Sequence, residues 1–131
     1  MGEPAEPIAT ILLVDDDPSI IRALGTRLRA EGYAVVTAMD GQKALDLAFA
    51  VIPDLLILDV NLPRRVGFSI SRMLKLDERT RRIPILMLTA RDQEADLRLG
   101  AVTGADAYMT KPYDTQALLA TLKSLLAASR R

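Results

Sequence analysis

Five short apolar runs, set between amphipathic stretches of helix length, leave this chain few folds to adopt. Residues 9–14 read ATILLV, 34–38 AVVTA, 55–58 LLIL and 83–88 IPILML, with a weaker fifth run, DAYMT, at 106–110. Runs this short, rich in branched side chains, fit strands buried on both faces. Pro84 falls near the start of its run, where a missing ladder donor costs least. Strands alternating with helices predict a parallel sheet covered on both faces, a single doubly wound α/β domain.

The intervening stretches carry helix signals. Asp17 reads as an N-cap with Pro18 at the first helical position, and Ile20, Ile21, Leu24 and Leu28 mark the buried face before Gly32 stops the helix. Asp40 caps a second helix with Ala44, Leu45, Leu47 and Ala48 on its apolar side, and Pro53 closes it. A third follows Gly67 and is expected to turn Phe68, Ile70, Met73 and Leu74 inward. The charged sequel at 75–82 predicts a solvated helix end and loop. Residues 93–102 predict a fourth helix with a weaker stripe (Ala95, Leu97, Leu99, Val102). The last helix begins near Asp114 and places Leu118, Leu119, Leu122, Leu125 and Leu126 on one side.

At 131 residues the chain suits one domain, expected at 9–128, with a disordered lead-in at 1–8 and a tail or linker start at 129–131. Basic and acidic residues balance at 17 each, so bulk charge points to neither nucleic acid nor an anionic membrane. No apolar run approaches the roughly 18 residues of a membrane span, and the first residues lack a signal-peptide pattern. The absence of cysteine excludes disulfides and thiol chemistry and suits a cytoplasmic location. The absence of histidine excludes histidine nucleophiles and histidine metal ligands, leaving carboxylates, hydroxyls and lysine to carry any chemistry.

Right-handed crossovers bring the carboxyl ends of all parallel strands to one edge, where open α/β sheets bind ligands. Asp15-Asp16 follow the first run, Asp59 the third, Thr89 the fourth and Lys111 the fifth. Clustered carboxylates raise one another's pKa unless cations compensate. Mg2+ is favoured, since it is commonly held by one or two carboxylates, waters and a phosphate oxygen. A carboxylate flanked by a metal and a lysine can act as nucleophile toward a phosphoryl group, with the cations stabilising the transferring charge and the Thr89 hydroxyl donating to one oxygen.

The chain resembles the receiver domains of two-component response regulators from Thr10 to Leu126. The resemblance rests on the Asp pair after the first strand, Asp59-x-x-x-Pro63-x-x-x-Gly67, Thr89-Ala90 and Tyr108-x-x-Lys111-Pro112. It implies a (βα)5 flavodoxin-like domain with a sheet of order 2-1-3-4-5. It also implies phosphorylation of Asp59 by a sensor histidine kinase or a histidine phosphotransfer protein. Asp16 would ligate Mg2+ (or Mn2+ in its place) directly, Asp15 largely through water, and the main-chain carbonyl of Asn61 would be a further ligand beside Asp59. Lys111 would pair with Asp59 and then with its phosphoryl group. Thr89 and Tyr108 would form the switch pair, and the Lys111-Pro112 bond would be cis. Asn61 and Arg91 would tune phosphate lifetime, Arg91 by shielding a phosphoryl oxygen. Output would pass to a domain or partner through the face of the fourth helix, fifth strand and fifth helix, with no direct nucleic-acid binding and no membrane contact.

Departures from the family pattern accompany the match. Val66, preceded by Arg64-Arg65, replaces a common acidic residue before the loop glycine. Ala107, Ala117 and Thr121 stand where receivers joined to winged-helix domains usually carry paired charges, so that dimer contact is expected to be weak or absent. Each site residue alone has an ordinary explanation, as a helix cap, a loop start or a turn; the agreement of four strand ends is what argues for a site. Haloacid-dehalogenase-type phosphatases also place an Asp nucleophile at such an edge, but they use a second Asp two positions on, where Asn61 cannot protonate a leaving group. A Rossmann enzyme would need a glycine-rich turn where Asp15-Asp16-Asp17-Pro18 stands. A degenerate receiver, acting only as a binding module, would have lost Asp59, the Asp pair or Lys111.

Overall fold

All five apolar runs form strands in the computed structural model, which describes residues 6–60, 67–90 and 104–129. In chain order the elements are β1 (Thr10–Val14), α1 (Pro18–Ala30), β2 (Ala34–Ala38), α2 (Gly41–Val51) and β3 (Leu55–Asp59). They continue with α3 (Gly67–Leu76), β4 (Ile85–Ala90), β5 (Ala107–Lys111) and a C-terminal helix, Thr115–Ser129. The helix expected at 93–102 lies outside the described residues.

The sheet is parallel, of order β2-β1-β3-β4-β5, as the resemblance implied. Its central strand β3 is buried at every residue, consistent with its unbroken apolar run. Alternate side chains feed two cores. Leu13, Ile57 and Leu88 pack with Leu24, Leu28, Leu118 and Leu122 under α1 and the C-terminal helix. Leu12, Leu56 and Met87 pack with Leu45, Ala48, Ile70 and Leu74 under α2 and α3. Each fully buried leucine or isoleucine contributes about 1.5–3 kcal/mol of burial energy.

The caps follow the sequence signals. Asp17 Oδ1 accepts from Ser19 N at 2.9 Å, and Asp40 Oδ1 accepts from Lys43 N at 2.8 Å. Gly32 takes φ +100°, the left-handed turn expected after α1. Ile52 adopts the same region after α2, at φ 48°, an uncommon conformation for a β-branched residue.

Three expectations need correction. β4 begins at Ile85 and runs through Ala90, because Pro84 lacks an N–H and Ile83 N turns back to Thr80 O at 3.0 Å. Met73 is 39% exposed rather than turned inward, while Ile70 and Leu74 are fully buried. The 75–82 segment is not merely solvated: Thr80 is fully buried, its hydroxyl donating to Leu74 O at 2.6 Å. Lys75 Nζ meanwhile donates to Arg81 O, Ile83 O and Asp106 Oδ2 at 3.2, 2.7 and 3.0 Å.

Candidate functional site

The register of the sheet brings the acids together. Two-residue alternation puts Asp15, Asp59 and Lys111 in phase with Leu13, Ile57 and Met109, on the side covered by α1 and the C-terminal helix. Backbone bonds hold the strand ends that carry the acids: Asp15 N donates to Ala38 O at 3.2 Å and Val60 N to Leu88 O at 2.9 Å.

Carboxylate oxygens of Asp15, Asp16 and Asp59 lie within 4.8 Å of one another. Asp15 is fully buried, Asp59 nearly so, and Asp16 faces solvent. Lys111 Nζ donates to Asp15 Oδ2 at 2.8 Å and pairs with Asp59 Oδ2 at 3.5 Å. The lysine therefore bridges both acids and leans on Asp15, a refinement of the Asp59 pairing expected from sequence. Asp15 Oδ1 also accepts from Asp17 N at 3.0 Å, so both of its oxygens are engaged. Burial disfavours the Lys111 ammonium, but the hydrogen bond to Asp15 and the charges of Asp59 and Asp15 outweigh it and hold its pKa above that of an ordinary lysine.

Among the described residues the three clustered carboxylates stand beside one lysine, a formal excess of negative charge. A hard divalent cation fits this oxygen-only donor set, in which the exposed Asp16 has a carboxylate turned toward solvent. Such an arrangement can hold a cation next to a nucleophilic carboxylate and stabilise negative charge arriving at it.

Thr89 is fully buried at the end of β4. In the ladder Met87 pairs with Tyr108 and Thr89 with Thr110, so Thr89 and Tyr108 point to the same side of adjacent strands. The Tyr108 hydroxyl is buried and finds no hydrogen-bond partner among the described residues. Burial, and then the charge of Asp106, push its pKa up. The Lys111-Pro112 bond is cis. Asn61, Arg64, Arg65, Val66 and Arg91 lie outside the described residues.

Sequence reasoning passed over Tyr113, whose ring borders two hollows. One, of about 400 Å³, is lined by Ile20, Lys111, Pro112 and Tyr113, and the other, of about 200 Å³, lies between Leu24, Arg27 and Thr115. Burial and the Asp15 carboxylate raise the Tyr113 pKa against the opposing charge of Lys111. Its place directly after Lys111-Pro112 is the only sequence signal for it. A hollow of about 510 Å³ between Lys75, Arg81, Arg82 and Ser129 belongs to the opposite edge of the sheet and contains none of the acid cluster.

The family model for the response regulator receiver domain matches residues 11–123. The chain is 45% identical over 121 residues to the DNA-binding dual master transcriptional regulator RpaA of Synechocystis sp., covering 92% of this chain and 50% of that protein. It spans about half the length of the first curated relatives it matches. Among solved structures, the chemotaxis response regulator CheY4 of Vibrio cholerae superimposes with a TM-score of 0.83 at 35% identity, over 89% of this chain and 98% of that one. The receiver domain of sensor histidine kinase PA1611 from Pseudomonas aeruginosa, solved with a magnesium ion in its active-site cleft, gives 0.84 at 31% identity over 91% and 98%.

Proposed function

This chain belongs to the response regulator receiver domain family, and from that premise we propose that Asp59 accepts a phosphoryl group from a partner's phosphohistidine and that the modified domain switches conformation. The observation that carries the reading is the clustering of three carboxylates within 4.8 Å, with Lys111 Nζ bridging two of them.

In the transfer an Asp59 oxygen attacks phosphorus while the P–N bond of the phosphohistidine breaks. The bonding pair returns to the imidazole nitrogen, which takes up a proton, and the product is an acyl phosphate on Asp59. Lys111, 3.5 Å from Asp59 Oδ2, stabilises charge on the incoming oxygens, and Thr89 donates its hydroxyl to one of them. Water attack on phosphorus later releases inorganic phosphate and restores the carboxylate, so the domain promotes only its own modification and its reversal. Mg2+ (or Mn2+) would be held by Asp16 and Asp59, with Asp15 acting through water because both its oxygens are engaged. When bound, the ion neutralises charge between the acids and the transferring group. The main-chain carbonyl of Asn61 and the lifetime-tuning side chains of Asn61 and Arg91 belong to the same proposal.

The donor is proposed to be a sensor histidine kinase or histidine phosphotransfer protein, seated on the apolar hollow of Ile20, Pro112 and Tyr113 beside Lys111. Phosphorylation biases a two-state rearrangement of Thr89 and Tyr108, read by an output domain or partner at the face of residues 93–102, β5 and the C-terminal helix. The Tyr108 hydroxyl, buried and without a partner among the described residues, supports this, since a buried group lacking a hydrogen bond narrows the gap between that ring position and an alternative. No helix among the described residues is long and apolar enough to cross a membrane; a cytoplasmic location is part of the proposal.

Intact mass after incubation with acetyl phosphate tests the reading. Uptake of one phosphoryl group, dependent on Mg2+ and lost in Asp59→Asn, is the expected result. Failure of both phosphoryl uptake and Mg2+ binding would replace it with a role as a phosphorylation-independent binding module.

A further inference from the structure

Lys111 reaches the acid cluster from the end of β5, and in the described residues β5 is paired only on its β4 side. All five of its residues are half-buried, so it lacks the deep packing that holds β3. Register matters acutely for such an edge strand. A slip of one residue would move Lys111 by about 3.3 Å and turn its side chain to the other face, enough to break both of its ion pairs.

At its other end the strand is gripped twice by one residue. Asp106 N donates to Ile85 O at 2.9 Å, and Ile85 N donates back to Asp106 Oδ2 at 2.8 Å. Both main-chain groups of the first β4 residue are thus held by Asp106. The same carboxylate oxygen accepts from Lys75 Nζ at 3.0 Å, and Lys75 is itself fixed by the carbonyls of Arg81 and Ile83. Gly104, at φ +89°, lets the chain pass close against Lys75: a Cβ there would meet its Cγ at 3.1 Å.

We propose that Asp106, locked by Lys75, is a positioning residue for Lys111: it pins the register of β5 so that the lysine lands between Asp15 and Asp59, roughly 16 Å away along the strand. The inference rests on the phosphoacceptor reading for its consequence, but its geometry can be measured without phosphorylation.

The experiment is competitive lysine acylation read by mass spectrometry on the intact chain, with exposed Lys43 and Lys123 as internal references. In Asp106→Ala, Lys111 should label on the order of fivefold faster, the factor that one lost hydrogen bond is worth. Asp106→Asn retains an oxygen for Ile85 N and should keep most of the protection, and Lys75→Met should fall between. Unchanged Lys111 labelling in Asp106→Ala, or equal acceleration at all lysines, overturns the proposal. Asp106→Ala should also slow phosphoryl uptake from acetyl phosphate in the wild-type background but add nothing to Lys111→Ala; an equal slowing in both backgrounds would mean that Asp106 does not act through Lys111. If the wild-type chain took up no phosphoryl group while the labelling changed as expected, the phosphoacceptor reading would fail and the positioning role would stand.

Discussion

The two edges of the sheet are built from the same pair of residue types with opposite results. At the carboxyl edge Lys111 pairs with Asp15 and Asp59 beside Asp16, three carboxylates to one lysine among the described residues. At the amino edge Lys75 faces Asp106 alone, and two carbonyls and a backbone N–H complete the set. The first is the cluster of like charges on which the phosphoacceptor proposal rests; the second is a structural joint. What separates them is the ratio of carboxylates to lysines among the described residues, not which residue types are present.

The largest expected effect is that of added Mg2+ on stability. Mg2+ at 100 times its Kd should stabilise the wild-type chain by about 2.7 kcal/mol, read as a rise in Tm, with most of the gain lost in Asp16→Ala. An equal gain in Asp16→Ala would break the comparison by placing the ion elsewhere.

Substituting one member at each edge should have opposite signs. Lys75→Met removes an ammonium with three acceptors and should cost about 1–2 kcal/mol in urea unfolding. Asp16→Asn without Mg2+ relieves repulsion and should raise Tm by about 2–4 °C. Destabilisation by both would show that the carboxyl edge is already balanced. The contrast reaches Tyr108 as well: Tyr108→Phe removes a buried hydroxyl without a partner among the described residues and should be neutral or stabilising by up to about 1 kcal/mol.

The smallest effect is a slope that should be absent. The Lys111 pKa is raised above 10.5, so its pairing is fully present below the unfolded value and is lost only as pH rises through the raised one. The stability difference between wild type and Lys111→Met should therefore stay constant from about pH 7 to 9 and shrink only above about 10.5. A difference that shrank below pH 9 would mean that the carboxylates do not hold the lysine charged.

Much of this molecule can be read from local pattern. The apolar runs mark the strands, Asp17 and Asp40 announce their helices, and the polar residue ending each run states what that strand brings to the edge. Local pattern fails where a residue's role depends on a remote partner. Lys75 and Thr80 sit in a charged stretch that looks solvated, yet one is tied to Asp106, 31 residues away, and the other is fully buried. Met73 satisfies the helical period yet is 39% exposed, while Ile70 and Leu74 of the same stripe are fully buried.

The sequence by itself determined which side chains arrive at the carboxyl edge, because strand length, alternation and crossover handedness are consequences of short-range sterics and burial. Only the tertiary structure decided that Lys111 closes on Asp15 at 2.8 Å and stands off Asp59 at 3.5 Å, across 96 residues of chain in the first case. That choice depends on the twist of the sheet and the register of its edge strand, which arise from contacts between segments and leave no mark on any one of them.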